Sequence, residues 1–599
     1  MVKKYPIFKT LNRLIKEVYK KDKLILLLVI SYTFFSGLLP IFSVYLPKFL
    51  ITEITSTTPS LNESIKIILI FTGLVTIFGF LEKVIHSNAN PRLMLIRIDY
   101  LAKLFRRLSM LDYKYCEDPK FLDIHEDAIE SCSGNNNGFE MVMKTIFTLF
   151  ARFATIIMYI IIISQLSFLV LLAIILSVSI SMVLSLAVKK FRYEHKNELN
   201  HASRKLRYFQ DMTHDFSYGK DIRMYNFQEK IKSNYTKEII SYINVFKKIK
   251  NKEYFLGFID LFFLLISDFV LYYILISKVI NGLSIADFSM YLVASISLAE
   301  AVKLTANNTS IIIGEGMYIN DYFKFMEDMS LDNGGSLSRI MDDTLEIEFK
   351  NVSFKYPNTD NWIFQNLNLL IPKRQKLAIV GINGAGKTTL VKLILGLFEP
   401  TSGEILINGI NIKDFDKFEY YKMFSVVFQE INILSYTIRE NITLGLEEGE
   451  KKIWDVLDRV GLKEKVESLD KQLDNMMLRI IDEKGAIFSG GENQKLAIAR
   501  ALYKDGNAVI LDEPTAALDA LAELEIYQGF NDLVKDKTAI YVSHRLASTK
   551  FCDKIALFKD SNLVEYGNHE ELMQLKKEYY NMFTIQGKYY QGGEEHEEY

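Results

Sequence analysis

The sequence predicts a two-part fold, in which an α-helical domain with six membrane spans is followed by an α/β domain with a phosphate-binding loop. Of the 599 residues, 49% are hydrophobic, and the long apolar runs are concentrated in the first half of the chain. From about Thr344 onward, short strands alternate with helical patterns, and one strand leads directly into a glycine-rich turn. Long apolar runs are typical of membrane helices, whereas alternating strands and helices are typical of a parallel sheet covered by helices.

Six runs are apolar and long enough to cross a bilayer, which takes roughly 20 helical residues. They are Leu24–Leu46, Ile65–Leu81, Thr145–Ser164, Leu166–Val188, Tyr254–Ser277 and Phe288–Ile313. A basic stretch over residues 1–22 precedes the first run, and its apolar residues recur at helical spacing. We therefore expect an amphipathic helix on the inner membrane surface, with both chain termini in the cytoplasm by the positive-inside rule.

The connections between the runs agree with this orientation. Those after the first, third and fifth runs are short and nearly free of Lys and Arg, whereas those after the second and fourth runs are long and basic. Their helical periodicity predicts that the membrane helices continue into the cytoplasm. Breaks around Glu117–Lys120 and Phe216–Lys220 predict two hairpins, each with a short cross-helix at its tip.

Ionisable residues lie within the last two runs. Asp260 and Asp268 are about two helical turns apart in the fifth run, and polar residues of the sixth run follow a helical stripe. Because charge inside a bilayer is costly, we expect a substrate cavity lined by Asp268, Glu300, Lys303 and Asn307. Two alternatives stay open: Glu300 pairs with Lys303, or Asp260 lies beyond the hydrocarbon edge.

The segment Gly381-Ile-Asn-Gly-Ala-Gly-Lys-Thr388 follows the buried strand Lys376–Val380 and precedes the helical run Leu390–Leu397. It matches G-x-x-x-x-G-K-[ST] in full, the pattern of a phosphate-binding loop. Glycines let backbone N–H groups turn toward phosphates, Lys387 neutralises the terminal phosphates, and the Thr388 hydroxyl ligates Mg²⁺. The predicted nucleotide contacts in this segment are Gly381, Asn383, Gly384, Ala385, Gly386, Lys387, Thr388 and Thr389.

A second buried strand, Ala508–Leu511, ends in two carboxylates. Asp512 is placed to hold Mg²⁺ through water, and Glu513 to orient or deprotonate an attacking water. This is the division of labour expected in phosphoryl transfer.

Together with later elements, these motifs resemble the nucleotide-binding domain of ABC transporters. The resemblance implies that Tyr356 stacks on adenine, that Gln429 contacts ATP and Mg²⁺, and that His544 contacts the γ-phosphate. It also implies that Asp519 belongs to the D-loop and that the family signature is formed by Ser489, Gly490, Gly491 and Glu492. It further implies that Glu513, His544 and Lys387 are catalytic and that ATP and Mg²⁺ are the cofactors.

Six spans ahead of such a domain resemble a half-transporter of the exporter type, with domain-swapped helix bundles. The resemblance implies a second half-transporter subunit, because the signature of one chain serves the ATP held by the other. A homodimer is favoured and a heterodimer stays open. The hairpin tips, around Tyr115–Glu126 and Thr213–Tyr225, would be coupling helices, one of which docks on the partner. The expected domains are an amphipathic helix (1–22), a membrane domain (23–325), a linker (326–343), a nucleotide-binding domain with a helical signature subdomain (344–590) and an acidic tail (591–599).

Two departures from the family pattern stand in the signature region. The chain has Phe488 and Glu492 where the family usually has Leu and Gln, and residues 481–485 lack the usual glycine before the acid. Both concern coupling more than ATP binding, because the Ser-Gly-Gly core of the signature is intact.

The resulting hypothesis is an ATP-driven exporter of a peptide-like or amphiphilic substrate in a bacterial cell membrane. Residues 213–217 and the aromatic, acidic C-terminal tail resemble exporters of lantibiotic-type peptides, and the abundance of Lys, Ile and Asn is typical of AT-rich bacterial genomes. A lipid or multidrug exporter, an exporter-fold importer, a nucleotide-gated channel and a non-transporting ABC ATPase are the alternatives. A net charge of −2 disfavours a nucleic-acid partner.

Overall fold

The computed structural model describes residues 7–215, 218–328, 334–340, 342–357, 359–446, 449–513, 534 and 536–591. These residues fall into two compact units. The first comprises the described residues of 1–111 and 119–330, and the second comprises Asp112–Asp118 with the described residues of 331–599.

The secondary structure of the described part of the first unit consists of helices joined by short connections. Its helices are α1 (Ile7–Lys21), α2 (Leu24–Ile54), α3 (Leu61–Leu108), α4 (Pro119–Ser133), α5 (Gly138–Ser164), α6 (Phe168–Glu194), α7 (Lys196–His214), α8 (Gly219–Met224), α9 (Gln228–Ile280) and α10 (Ile285–Asp328). Among the described residues, six helices are long and apolar enough to cross a membrane, namely α2, α3, α5, α6, α9 and α10. The six predicted spans are therefore confirmed, although the fourth begins two residues before α6, because Ser167 caps that helix by accepting the Leu169 N–H.

The membrane helices pack through a narrow apolar core and leave much of their apolar surface exposed. At most 33% of the residues in any of the six most apolar windows are buried. The core joins Val44 of α2, Tyr159 and Ile163 of α5, Leu275 of α9 and Leu298 of α10. Exposed apolar surface on membrane helices is what a lipid environment or a second bundle covers.

Helix α1 packs against α10 and α3 by one face. Thr10 and Leu14 are buried, the Thr10 hydroxyl donates to Asn320 over 3.3 Å, and the Tyr100 hydroxyl donates to Glu17 over 2.6 Å. Other apolar side chains of this helix, Phe8, Ile15 and Tyr19, are exposed. The amphipathic sequence therefore divides between a packed face and an exposed apolar face.

Both predicted hairpins are interrupted where polar turn residues accumulate. After α3 ends at Leu108, a short 3₁₀ turn over Tyr113–Tyr115 precedes α4. A buried arginine organises the following turn: Arg97 pairs with Glu140 at 2.7 Å and donates to the carbonyl oxygens of Cys132 and Ser133. In the second hairpin, α8 forms a short helix between α7 and α9.

The second unit is an α/β domain with two sheets. Its strands are β1 (Ile347–Lys355), β2 (Trp362–Ile371), β3 (Lys376–Gly381), β4 (Ser402–Ile407), β5 (Ile410–Asn411), β6 (Phe424–Val427), β7 (Ala508–Asp512), β8 (Thr538–Val542), β9 (Lys554–Lys559) and β10 (Asn562–Gly567). An antiparallel sheet has the order β2-β1-β4-β5, and a second sheet has the order β10-β9-β3-β8-β7-β6. In the second sheet all neighbouring strands are parallel except β9 and β10.

The helices of this unit are α11 (Lys387–Ile394), α12 (Lys417–Lys422), α13 (Ile438–Thr443), α14 (Glu450–Arg459), α15 (Lys463–Glu467), α16 (Gly490–Lys504), α17 (His569–Leu575) and α18 (Glu578–Gln591). Of these, α11, α12 and α16 pack against the second sheet, whereas α13 and α14 pack against α16. Alternate residues of β3 enter different apolar cores, Leu377 and Ile379 on one face and Ala378 and Val380 on the other. This two-residue alternation explains why β3 reads as apolar throughout.

Candidate nucleotide site

The carboxyl ends of β3, β7 and β8 lie side by side, because these strands are parallel neighbours. Side chains that follow these strands therefore meet at one edge of the sheet, where α/β proteins usually bind ligands. Lys387 of the phosphate loop, the carboxylates of Asp512 and Glu513, and His544 all lie at this edge.

The loop between β3 and α11 needs glycine at both of its ends. Gly381 has φ +155° and Gly386 has φ +92°. A Cβ on Gly381 would lie 2.3 Å from the carbonyl oxygen of Phe558, and one on Gly386 would lie 2.8 Å from Cζ of Phe364. The loop thus has its shape because its backbone approaches neighbouring chain segments more closely than a side chain permits.

Lys387 lies at the centre of this loop. Its Nζ donates to the carbonyl oxygens of Gly381 and Ile382 at 3.0 and 3.1 Å, and the residue is buried. Burial lowers the pKa of Lys387, whereas the charges of Glu513 and Asp512 act to raise it. The ammonium group is thus folded over the loop, where an anionic ligand would meet it.

Asp512 has an unsatisfied oxygen in a buried position. The residue is 1% exposed, the Thr388 hydroxyl donates to its carboxylate, and Oδ1 has no hydrogen-bond partner among the described residues. Burial, and then the charge of Glu513, raises the pKa of Asp512 to about 6. A buried carboxylate oxygen beside a hydroxyl is a donor set suited to a hard cation such as Mg²⁺.

Glu513, the residue after Asp512, contacts two other predicted site residues, Gln429 and His544. The carboxylate of Glu513 accepts a hydrogen bond from Nε2 of Gln429 at 3.0 Å and lies 2.5 Å from Nε2 of His544. Glu513 has φ +51°, and its N–H donates to the carbonyl oxygen of Val542 at 3.0 Å. A non-glycine residue in this left-handed conformation is uncommon and concentrates at functional sites, and here the strand β8 holds it in place.

His544 is held from two sides. Burial and then the charge of Lys387 lower its pKa, while Glu513 acts to raise it. On the backbone side, Gln586 of α18 accepts from the Leu546 N–H at 2.9 Å and donates to the His544 carbonyl oxygen at 2.7 Å. Gln586 was not anticipated from the sequence, since it lies in a distant helix and no motif marks it.

Tyr356 lies beside the phosphate loop, at the edge of a cavity. Its hydroxyl is 2.9 Å from the Thr389 hydroxyl, and its ring packs edge-on against Phe398 with centroids 5.3 Å apart. The cavity has a volume of about 580 Å³, and its lining includes Asp112, Lys355 and Glu399 as well as Tyr356. An aromatic ring at a mixed polar and apolar cavity is suited to holding a base.

The signature residues form the start of α16. Ser489 caps the helix by accepting the Glu492 N–H at 3.2 Å, and the Glu492 carboxylate accepts the Ser489 N–H at 2.7 Å. Phe488 is buried in the apolar core that includes Leu496. Lys465, a residue that no motif marks, lies 3.3 Å from the Glu492 carboxylate. Within the signature, Phe488 is thus accommodated as a core side chain and Glu492 as a capping carboxylate.

The structure does not bring the whole predicted set together. Within the described part of this chain, no hydrogen bond joins Ser489, Gly490 or Gly491 to the phosphate loop. Asp519 lies outside the described residues.

The predicted substrate-cavity residues are partly or fully exposed. Glu300 and Asn307 are exposed, whereas Asp268 and Lys303 are half-buried. Glu300 and Lys303, both of them described, do not form an ion pair with each other. The alternative that these two charges neutralise each other therefore receives no support from the structure.

Comparisons with known proteins agree with this site. The profile of the ABC transporter family matches residues 364–516. The chain is 30% identical over 584 residues to the subtilin transport ATP-binding protein of Bacillus subtilis, covering 95% of this chain and 92% of that protein. It is 27% identical over 590 residues to the nisin transport ATP-binding protein of Lactococcus lactis subsp. lactis, covering 96% of both. The fold is similar to that of a bacterial Atm1-family ABC exporter with ATP bound, with a TM-score of 0.77 and 19% identity, covering 96% of this chain and 99% of that one.

Proposed function

Since this chain belongs to the ABC transporter family, we propose that it is one half of a dimeric exporter in which each ATP is shared between two chains. The described part of the α-helical unit has six potential spans, the α/β unit carries the ATP-binding cassette, and ATP hydrolysis drives transport. The chain is therefore a multi-pass membrane protein of the exporter type. The roles of individual residues, the second subunit and the substrate are the content of the proposal.

The observation that carries the residue roles is the position of Glu513 between Gln429 and His544. A carboxylate held at 3.0 and 2.5 Å by two side chains has a fixed direction, which a general base requires. We assign Glu513 the role of base for the attacking water and His544 that of γ-phosphate contact. Lys387 neutralises the phosphates, and Tyr356 stacks on the adenine.

Mg²⁺ fits the donor set at the end of β7. Asp512, Thr388 and Gln429 would hold it, and the unpartnered Oδ1 of Asp512 supports this assignment. The ion, when bound, supplies charge neutralisation to the phosphates of ATP.

The signature supports a second subunit. Because the Ser489 oxygen accepts the Glu492 N–H, its own hydrogen remains free to donate to a phosphate oxygen. The first helical turn of α16 presents further backbone N–H groups, at the positive end of the helix dipole. This half-site serves the ATP of another chain. A second copy is the favoured partner, and a different half-transporter is the alternative.

The two hairpin tips differ in a way that supports domain exchange. Asp112–Asp118, at the start of the first tip, belong to the α/β unit, where Tyr113 packs edge-on against Phe398 with centroids 5.6 Å apart and Lys392 pairs with Glu117 at 2.6 Å. At the second tip, Met224 is 80% exposed and Tyr225 is 72% exposed. We assign this apolar tip to the nucleotide-binding domain of the partner.

For the substrate, we favour a peptide-like, amphiphilic molecule exported from a bacterial cell with both termini of the chain in the cytoplasm. The support is the near full-length similarity to the subtilin and nisin transport proteins. A lipid or multidrug substrate is the second candidate. In sealed proteoliposomes, subtilin should stimulate ATP hydrolysis and accumulate inside when the cassettes face outward, whereas an importer or a channel would not concentrate it there.

Substitution at Glu513 tests the assignment of the base. Glu513→Gln should retain ATP binding and lose turnover, because the amide keeps the side-chain shape but cannot accept the proton of water. The exposed Glu467→Gln is the matched control and should hydrolyse ATP at the wild-type rate. Wild-type phosphate release by the Glu513→Gln protein would refute the assignment.

Mixing two inactive variants tests the shared site. Lys387→Ala and Ser489→Ala proteins should each be inactive, but a mixed dimer contains one site with both residues intact. A reconstituted equal mixture should therefore regain phosphate release, about a quarter of the wild-type rate if the sites act independently. If the mixture stays inactive although mixed dimers are isolated by two affinity tags, the ATP site is not shared in this way.

A further inference from the structure

Gln586 of α18 holds the backbone that carries His544. Its Oε1 accepts the Leu546 N–H at 2.9 Å, and its Nε2 donates to the His544 carbonyl oxygen at 2.7 Å. One amide thus satisfies a donor and an acceptor on either side of Arg545. The amide can do both, whereas a carboxylate lacks the donor and an amine lacks the acceptor.

The segment held by this amide begins immediately beyond the sheet. β8 ends at Val542, and the Ser543 N–H donates to the Ile379 carbonyl oxygen at 3.2 Å. From His544 onward, the chain leaves the ladder, and the next buried apolar side chain is Leu546. The amide of Gln586 therefore acts at the point where the strand no longer sets the direction of the His544 backbone.

Helix α18 is itself fixed two turns before Gln586. Tyr579 is fully buried, and its hydroxyl lies 3.1 Å from the Thr549 hydroxyl and 2.8 Å from Nδ1 of His569. The N–H groups of Glu578 and Tyr579 donate to Glu565 of β10 at 2.8 and 3.3 Å. The beginning of the helix is thus tied to β10 and α17, so that Gln586 projects from a rigid support.

We propose that Gln586 is a positioning residue for catalysis, which holds His544 in line with Glu513 and the γ-phosphate of ATP. The inference rests on the role of His544 in the proposed function. It makes α18, which contributes no side chain to the phosphate loop among the described residues, part of the apparatus that determines the rate of hydrolysis. Because ATP is bound mainly through the phosphate loop and Tyr356, loss of Gln586 should lower kcat and leave KM for ATP unchanged.

The test uses two variants of the full-length protein and a matched control. Gln586→Met keeps the length and volume of the side chain but can make neither hydrogen bond. Gln586→Glu keeps the acceptor for Leu546 and places a carboxylate oxygen against the His544 carbonyl oxygen. Asn581→Met makes the same amide-to-thioether change on α18 at an exposed position.

Steady-state phosphate release in lipid nanodiscs separates positioning from support of the fold. We expect kcat to fall about tenfold in both Gln586 variants, with KM for ATP within about twofold of wild type and no change in Asn581→Met. Adding Gln586→Met to His544→Ala should lower its residual rate no further, since Gln586 acts through His544.

Three results would overturn the inference. The first is a kcat of Gln586→Met equal to that of the Asn581→Met control. The second is a rise in the KM of Gln586→Met for ATP at unchanged kcat. The third is a double variant that is slower than His544→Ala by the same factor by which Gln586→Met is slower than wild type. If His544→Ala itself turned over at the wild-type rate, the role of His544 in the proposed function would fail. If His544→Ala were inactive and Gln586→Met normal, only the role of Gln586 would fail.

Discussion

Replacing Glu492 by glutamine would restore the residue that the ABC family usually has in its signature. The structure predicts that this change lowers the stability of the fold only slightly. The Glu492 carboxylate accepts the Ser489 N–H at 2.7 Å and lies 3.3 Å from Nζ of Lys465. Burial acts to raise the pKa of Glu492, but the hydrogen bond from Ser489 and the contact with Lys465 outweigh it and hold the pKa below its usual value. Glutamine retains an acceptor for Ser489 and loses only the charge.

The magnitude follows from these two contributions. The side chains of Lys465 and Glu492 are 46% and 27% exposed, so solvent screens the ion pair, which contributes about 0.2–1 kcal/mol. A negative charge in the first turn of a helix contributes about 0.3–1 kcal/mol. We therefore expect Glu492→Gln to cost about 1 kcal/mol. Glu492→Ala also loses the acceptor for Ser489, which adds about 1 kcal/mol.

Thermal unfolding of the purified protein at pH 7 measures this difference. A group with a lowered pKa stabilises the fold above its unfolded pKa, roughly 4.3 for Glu, and loses this contribution as the pH falls through the folded pKa. At pH 7 the contribution is complete. In domains of this size, 1 kcal/mol shifts Tm by about 2–4 °C, so we expect about 3 °C for Glu492→Gln and about 6 °C for Glu492→Ala.

A neighbouring glutamate provides the control. Glu464 is exposed and lies in the first turn of α15, so Glu464→Gln removes the same charge without a capping hydrogen bond. Its Tm should fall by no more than that of Glu492→Gln. Equal Tm values for Glu492→Gln and Glu492→Ala would show that the capping hydrogen bond contributes nothing, and the reasoning would be wrong.

Two further predictions concern the phosphate site and the first hairpin. The pKa of Asp512 is raised to about 6, so its carboxylate takes up a proton as the pH falls below 6. The apparent Mg²⁺ affinity in ATPase titrations should therefore weaken by about tenfold per pH unit in that range. Equal affinities at pH 5 and 7.5 would contradict this. In the hairpin, the Arg97 and Glu140 side chains are only 7% and 3% exposed. Arg97→Ala removes the donor to the Cys132 and Ser133 carbonyl oxygens, while Lys144 still pairs with Glu140 at 2.6 Å. It should therefore cost about 1–3 kcal/mol and lower Tm, whereas the exposed Arg106→Ala should not; similar Tm values for the two would show that the buried arginine is not essential.

Most of the nucleotide site could be predicted because its residues adjoin short, strongly apolar strands. Lys387 lies in the loop and helix start after β3, and Asp512 is the last residue of β7; parallel strands bring their carboxyl ends together in any such sheet. The membrane spans could be predicted equally well, since the length of an apolar run is itself the signal. The first residues of helices were harder to predict. Helix α11, for example, begins at Lys387 and not at Leu390, because Gly386 adopts a positive φ directly before it.

Other contacts could not be predicted because they join residues far apart in the chain. Gln586 reaches the His544 backbone from a helix 42 positions later, and Lys465 meets Glu492 across two helices. Thr10 meets Asn320 in the same way in the helical unit. No periodicity or motif marks a polar side chain whose partner is set only by packing.

The sequence by itself determined the family, the six spans and the motif of the phosphate loop, because each depends on residues that are neighbours along the chain or recur with a fixed period. The tertiary structure decided how Glu513 is aimed, what holds His544, and why Phe488 and Glu492 are tolerated in the signature. These depend on directions and distances between strands and helices, which arise only when β3, β7 and β8 pair and α16 and α18 pack beside them.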